Sequence, residues 1–167
     1  MTERETMAVD NLAVFPGTFD PFTLGHFDIL MRASRIFSKV LIAVAENPAK
    51  HTLFSLEERV SSIKEACLDI PSVEVTGFSG MLVDLLREYK ADILVRGVRT
   101  VADYDYEVQL SGMYRTLMPD MEIVMLPTSG SLSFISSTLV RDVIIHHGDS
   151  AKFVPASIQR LIKRKFS

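Results

Sequence analysis

This chain of 167 residues has no tryptophan and a single cysteine, Cys67. One cysteine excludes an intrachain disulfide and any metal site built on paired thiolates. Cys67 falls on the apolar helical spacing of Leu56, Val60 and Ile63, which reads as a small buried hydrophobe. Charge is scarce as well. Charged residues make up 23% of the chain and the formal net charge is -3, with a pI near 5.8. That balance argues against a general nucleic-acid binder but leaves room for a local basic pocket. No apolar run reaches membrane-spanning length, and the amino end MTERETMAVDN carries no signal-peptide core. The expectation is a cytoplasmic protein with no membrane and no nucleic-acid partner. The usual phosphate signatures are missing too. There is no G-x-x-x-x-G-K-[ST] pattern, which excludes a P-loop enzyme, and no G-x-G-x-x-G after the first strand, which weakens a dinucleotide reading. No acid cluster suited to gripping two metals is evident, so no protein metal ligand is expected.

What is present describes one compact core. Hydrophobic residues make up 47%, enough for a folded domain of this size. Residues 1–11 read as a flexible polar extension and 12–167 as a single domain. Apolar runs over 12–15, 40–45, 73–75, 91–95 and 122–126 read as short strands. Segments with helical spacing over about 25–37, 81–89, 103–118 and 138–147 alternate with them. Ser55 with Glu58 three residues on is a capping box that starts another helix at Ser55. A last helix follows Pro155, with Ile158, Leu161 and Ile162 on one face. Strands alternating with helices imply an α/β fold, a Rossmann-like five-stranded parallel sheet flanked by helices and closed by a C-terminal helix.

The stretch that organises the chain is AVFPGTFDPFTLGH, Ala13–His26. An apolar strand gives way to turn residues and hydroxyls, and an amphipathic helix follows at once. In an α/β protein such a loop lies at the carboxyl edge of the sheet, where ligands bind. A helix amino terminus beside His26 suits phosphates. The plain alternative is an ordinary βα connection whose histidine merely starts a helix. Three further segments are expected to meet this loop in one crevice: NPAKHT, the RGVR turn and SFISST. They would supply Lys50, Arg96 and Arg99 as cations and Thr18, Thr23, Ser136, Ser137 and Thr138 as hydroxyls. Acids near the crevice look few, which describes an anion pocket suited to a triphosphate.

Thr23-x-Gly25-His26 resembles the T/HxGH motif of the nucleotidyltransferase α/β phosphodiesterase superfamily, and Ile135-Ser136-Ser137-Thr138-x-x-Arg141 its second motif. FPGTFDPxTxGHxD, ENPAKHTLFSLEERV, LVRGVRTVADYDYE and SFISST together resemble the bacterial phosphopantetheine adenylyltransferases, over nearly the whole chain. That resemblance implies adenylyl transfer from ATP to 4′-phosphopantetheine, giving dephospho-coenzyme A and pyrophosphate. The acceptor phosphate would attack the α-phosphorus directly, with no covalent enzyme intermediate. Thr18, His26, Lys50 and Arg96 would be the catalytic set. Thr18 would bind the attacking phosphate, and His26 the ATP phosphates in the transition state. Lys50 would neutralise charge between nucleophile and α-phosphate, and Arg96 would hold the acceptor phosphate. Gly17 and Phe19 would belong to the nucleotide contact, and Arg99 would touch ATP phosphates. Glu107 would hold the ribose hydroxyls or the nearby network. Ser136, Ser137 and Thr138 would serve the β- and γ-phosphates, with Arg141 neutralising them less directly. Met81 and Leu82 would line the pantetheine channel.

Mg²⁺ is implied as a companion of the triphosphate, carried mainly by its oxygens. A homohexamer, as a dimer of trimers, and feedback by coenzyme A are implied as well. Tyr114 stands where the family often has asparagine, and Leu132 where tryptophan is common before Ser-Phe-Ile-Ser. Two alternatives remain open at this stage. One is another small-substrate nucleotidyltransferase of the superfamily, and the other a nucleotide-binding regulator without catalysis.

Overall fold

The computed structural model describes residues 11–46 and 51–166. The sheet strands are β1 (Leu12–Gly17), β2 (Lys39–Ala45), β3 (Val73–Phe78), β4 (Ile93–Val98) and β5 (Glu122–Pro127). Six helices accompany them: α1 (Leu24–Ala33), α2 (Leu56–Ala66), α3 (Leu82–Tyr89), α4 (Val101–Leu117), α5 (Ser137–Ile145) and α6 (Ala156–Phe166). All strand pairs are parallel and the order is β3-β2-β1-β4-β5. The chain therefore winds outward from β1 to one edge, crosses back to β4, and finishes at the other edge. The expected fold class is the observed one.

Alternation along the central strands divides the core between the two faces. Ala13 and Phe15 of β1, with Val40, Ile42 and Val44 of β2, join the larger cluster formed with α1, α2, α5 and α6. Val14, Leu41 and Ala43 face the smaller cluster, where Leu85 and Leu86 of α3 pack. Cys67, just past α2, is buried in the larger cluster, and burial pushes its thiol up to about 11. It is a packing residue and no nucleophile.

Several element ends differ from the sequence reading, each for a local reason. The first helix stops at Ala33 rather than near Phe37. Arg35 N–H donates to Arg32 O and Ile36 N–H to Ala33 O, so the chain tightens into a three-residue turn while keeping Phe37 buried. Arg96-Gly97-Val98, read as a turn, continues β4, because each residue pairs with one of Met125, Leu126 and Pro127. Asn11, assigned to the extension, is already tied to the fold. Its N–H donates to Ser38 Oγ, and its Oδ1 accepts from Ser38 N–H.

Helix α4 is the exception to good packing. In a helix of 17 residues only Glu107 is buried. Val101, Tyr104, Tyr106, Val108, Met113 and Leu117 are exposed.

Candidate active site

The β1–β2 ladder runs to Gly17–Val44, and the β4–β5 ladder to Val98–Pro127. Between β1 and β4 the pairing is much shorter, Ala13 with Ile93 and Val14 with Leu94. Beyond that point the two strands part, at the place where the direction of winding reverses. A crevice at such a switch point is the general ligand site of open parallel sheets. Here it holds a cavity of about 640 Å³ lined from β1, the loop after it, β4, α4 and the start of α5.

Gly17, Thr18, Phe19, His26, Arg96, Arg99, Glu107, Ser136, Ser137, Thr138 and Arg141 all line this one cavity. Met81 and Leu82 do not. Met81 is exposed, and Leu82 packs against the smaller core cluster. Lys50 lies outside the described residues.

His26 is held by its own helix start. Thr23 caps α1, accepting on Oγ1 from His26 N–H at 3.3 Å, while Thr23 N–H donates to His26 Nδ1 at 3.0 Å. A main-chain N–H can only donate, so Nδ1 must be the acceptor. The neutral ring then carries its proton on Nε2. Phe22 stacks on the ring at 5.5 Å and Phe19 meets it edge-on at 5.0 Å. Desolvation first, then the positive charges of Arg99 and Arg96, lower the imidazole to about 4. His26 is thus a neutral donor rather than a cation.

The unfolded histidine takes its proton near 6.5 and the folded one only near 4. The stabilisation by neutral His26 is therefore complete above the unfolded value and drains away as pH falls toward the folded one. Following the His26 ring by NMR should give a midpoint near 4, with no titration step between pH ~5 and ~8, where an ordinary histidine changes charge. A midpoint at the ordinary value would contradict the neutral-donor assignment.

Phe19 reaches the cavity wall while its ring is buried in the core. Its φ of 51° lies in the left-handed region that side chains other than glycine seldom adopt. The ring sits over Gly17, where a Cβ would come within 2.8 Å of it. Glycine at 17 is what lets this loop fold down beside the site.

The expectation of few acids in the crevice is corrected. Asp20, Asp103 and Glu107 all line it, and each meets an arginine. Glu107 accepts from Arg96 Nε at 2.7 Å and Nη2 at 2.6 Å, and Arg96 Nη1 donates to Pro16 O across the β1–β4 gap. Each Glu107 oxygen accepts one Arg96 N–H and keeps a second lone pair for a further donor. Asp103 accepts from the N–H, Nε and Nη2 of Arg99. These bonds hold the Asp103 carboxyl below its ordinary range against an opposing desolvation effect. Asp20 is buried, accepts from Leu53 and Phe54 N–H, and lies 3.4 Å from Arg141. The carboxylates orient the arginines, and two helix amino termini add positive potential. Neither α1 nor α5 has an acid in its first turn.

The serines of the second motif act partly on the protein itself. Ser136 caps α5 by accepting from Leu139 N–H, and Ser137 Oγ donates to Pro21 O. Thr138 is exposed at the cavity edge. Sequence reasoning passed over His51, Asp103 and Tyr106, which line the cavity too. Their signal was available in position, one step beyond Lys50 and on the same stretch of α4 as Glu107. Tyr104 and Asp105, beside them on α4, are exposed outside the cavity lining. Among the described residues no group of three or more histidines, cysteines or acids is placed to hold a metal.

A family model described as cytidylyltransferase-like matches residues 14–143. Phosphopantetheine adenylyltransferase of Tolumonas auensis is 52% identical over 152 residues, covering 91% of this chain and 93% of that protein. The chain belongs to the phosphopantetheine adenylyltransferase family. Solved structures agree on the fold. A protein described as a nicotinate-nucleotide adenylyltransferase, from Vibrio parahaemolyticus, superposes with a TM-score of 0.70 at 16% identity over 93% of each chain. A bifunctional NMN adenylyltransferase/ADP ribose pyrophosphatase from Francisella tularensis gives 0.72 at 18% identity, over 92% of this chain and 49% of that one. Family membership gives the His26 geometry its context. The motif histidine stands at a helix amino end near Arg96 and Arg99, a position suited to an anion.

Proposed function

We propose that this pocket transfers the adenylyl group of ATP to the phosphate of 4′-phosphopantetheine, releasing pyrophosphate and leaving dephospho-coenzyme A. The observation that carries the reading is the convergence of a neutral Nε2–H donor, two acid-held arginines and two helix amino termini on one cavity. An acceptor phosphate oxygen attacks the α-phosphorus, and the bond from that phosphorus to the bridging oxygen breaks as the pyrophosphate leaves. A phosphate monoester is already an anionic nucleophile at neutral pH, so the chain needs no base. Its task is to bring two anions together and to stabilise charge on the oxygens of the transition state.

Each residue then has a defined task. Thr18 and Arg96 bind the acceptor phosphate, and Nε2 of His26 donates to the α-phosphate as charge builds there. Arg99, Thr138 and the first-turn amides of α5 bind the β- and γ-phosphates, with Arg141 more distant. Lys50 neutralises charge between nucleophile and α-phosphate. Met81 and Leu82 face the pantetheine arm outside the cavity. Mg²⁺ enters as part of the ATP substrate, coordinated by phosphate oxygens and water. The donor set fits this, because the cavity carboxylates are already engaged by arginines and amides. Coenzyme A, which contains the product, would compete for the same pocket as a feedback inhibitor.

Exposed apolar residues on two sides of α4, Val101, Tyr104 and Val108 on one and Met113 and Leu117 on the other, support self-association, and we assign a homohexamer built as a dimer of trimers. Among the described residues no helix is long and apolar enough to cross a membrane, and we place the protein in the cytoplasm.

A substrate panel tests the reaction. Pyrophosphate release with MgATP is expected with 4′-phosphopantetheine and not with nicotinamide or nicotinate mononucleotide. Release with a mononucleotide alone would move the chain to a different branch of the fold. Tight nucleotide binding without release would make it a regulator.

A further inference from the structure

Arg59 of α2 is buried, and among the described residues it makes no ion pair. Arginine is seldom buried unless it is paired. Among the described residues its side chain donates only to main-chain carbonyls, and they come from three separate segments. Nε donates to Phe54 O at 3.1 Å, and Nη1 to Thr18 O at 2.6 Å and Ala45 O at 2.9 Å.

The placement of these carbonyls is specific. The β1–β2 ladder ends at Gly17 with Val44. Thr18 and Ala45 are the next residues after these two, and one Arg59 nitrogen takes both of their carbonyls. The guanidinium replaces the ladder at the point where β1 leaves the sheet to become the loop of the site. Asp20, in the same loop, accepts from the N–H groups of Leu53 and Phe54, so Phe54 is held at its N–H by Asp20 and at its carbonyl by Arg59. Phe19, directly after Thr18, has the left-handed φ of 51°. Backbone in that region persists only when its surroundings hold it there.

We propose that Arg59 is a positioning residue for adenylyl transfer, acting through Thr18. By fixing the Thr18 carbonyl against the sheet edge, it holds the Thr18 hydroxyl in place for the reacting phosphate. The inference rests on the proposed role of Thr18. Lysine cannot substitute fully, because a point donor on a flexible stem cannot hold three separated carbonyls as a planar fork does.

A double-mutant cycle tests it, with pyrophosphate release measured for wild type, Arg59→Lys, Thr18→Ala and the double variant. Thermal melts of each establish folding. A misplacement on the order of 1 Å costs about 10²-fold in rate, so Arg59→Lys should lower kcat by roughly 10- to 100-fold with little change in KM for ATP. In the Thr18→Ala background the same change should cost less than about threefold, because residues acting as a unit are non-additive. Losses that multiply in the double variant, or a raised KM at unchanged kcat, overturn the proposal while leaving Thr18 in place. A fully active Thr18→Ala removes the Thr18 reading and this proposal with it. Should Arg59→Lys fail to fold, Arg59→Gln, which keeps a neutral donor, replaces it in the same cycle. Failure of both to fold would show a purely structural arginine and also overturn the proposal.

Discussion

Replacing His26 with alanine is expected to lower kcat by about 10²- to 10³-fold, the usual loss for one donor aimed at developing transition-state charge. Binding of a non-hydrolysable ATP analogue should change far less, because a neutral donor contributes little to holding an anion that arginines and helix ends already hold. The geometry sets this expectation. Thr23 N–H fixes Nδ1 as an acceptor, and Phe22 and Phe19 fix the plane of the ring. One side chain is thereby given one direction in which to donate. His26→Gln keeps a donor on a longer, less constrained arm and should recover part of the loss. The alanine variant loses the reciprocal half of the α1 capping box but keeps the Thr23 cap on the residue-26 N–H, so it should remain folded. Equal kcat in wild type and His26→Ala would remove His26 from the chemistry and reduce it to a cap.

The second large effect belongs to Arg96 and Glu107. Glu107 is buried, and Arg96 is 24% exposed at its side chain, with the pair closed through two short bonds. Removing one partner of such a pair leaves the other charge in a poor solvent. Arg96→Ala should therefore destabilise the fold by about 3 kcal/mol, at the lower end of the range for broken buried pairs because Arg96 keeps some solvent. It should also nearly abolish turnover, with the rise in KM falling on the acceptor. Glu107→Gln keeps the shape, frees the guanidinium and should cost less stability while still lowering kcat. The double variant Arg96→Met/Glu107→Leu separates the two effects. Apolar replacement of both partners should restore much of the stability and none of the activity. Denaturant midpoints and pyrophosphate release, measured on the same samples, decide the matter. Activity that returned along with stability would show the pair to be structural only.

Helix α4 connects the site to the outer surface. It contributes Asp103 and Glu107 to the arginines of the cavity, yet buries little else against its own chain. Sequence periodicity could not separate these positions, because apolar residues on a helix look alike whether they are buried or exposed. Met113 and Leu117 are exposed, while Tyr114 and Met118 pack against the smaller cluster.

Much of the site was legible in the linear chain because its residues follow strand ends closely. The turn residues and hydroxyls before Gly25, the short strand before Pro16 and the hydroxyl run at Ser136 are all local features. Local geometry is set within a few residues, so the α/β alternation and the loop at the sheet edge could be read directly. What the sequence could not determine is set by pairing across distance. The order β3-β2-β1-β4-β5, and with it the early parting of β1 from β4, comes from which strands pair, and no local pattern encodes that choice. The acids that hold Arg96, Arg99 and Arg141 were invisible as partners, two of them sitting on the helix after the arginine and one in a loop 121 residues away. Arg59 left one trace: helical spacing from Leu56 and Ile63 turns it inward, against the usual fate of an arginine. Only the fold showed what it meets there, three carbonyls at the edge where the sheet ends and the site begins.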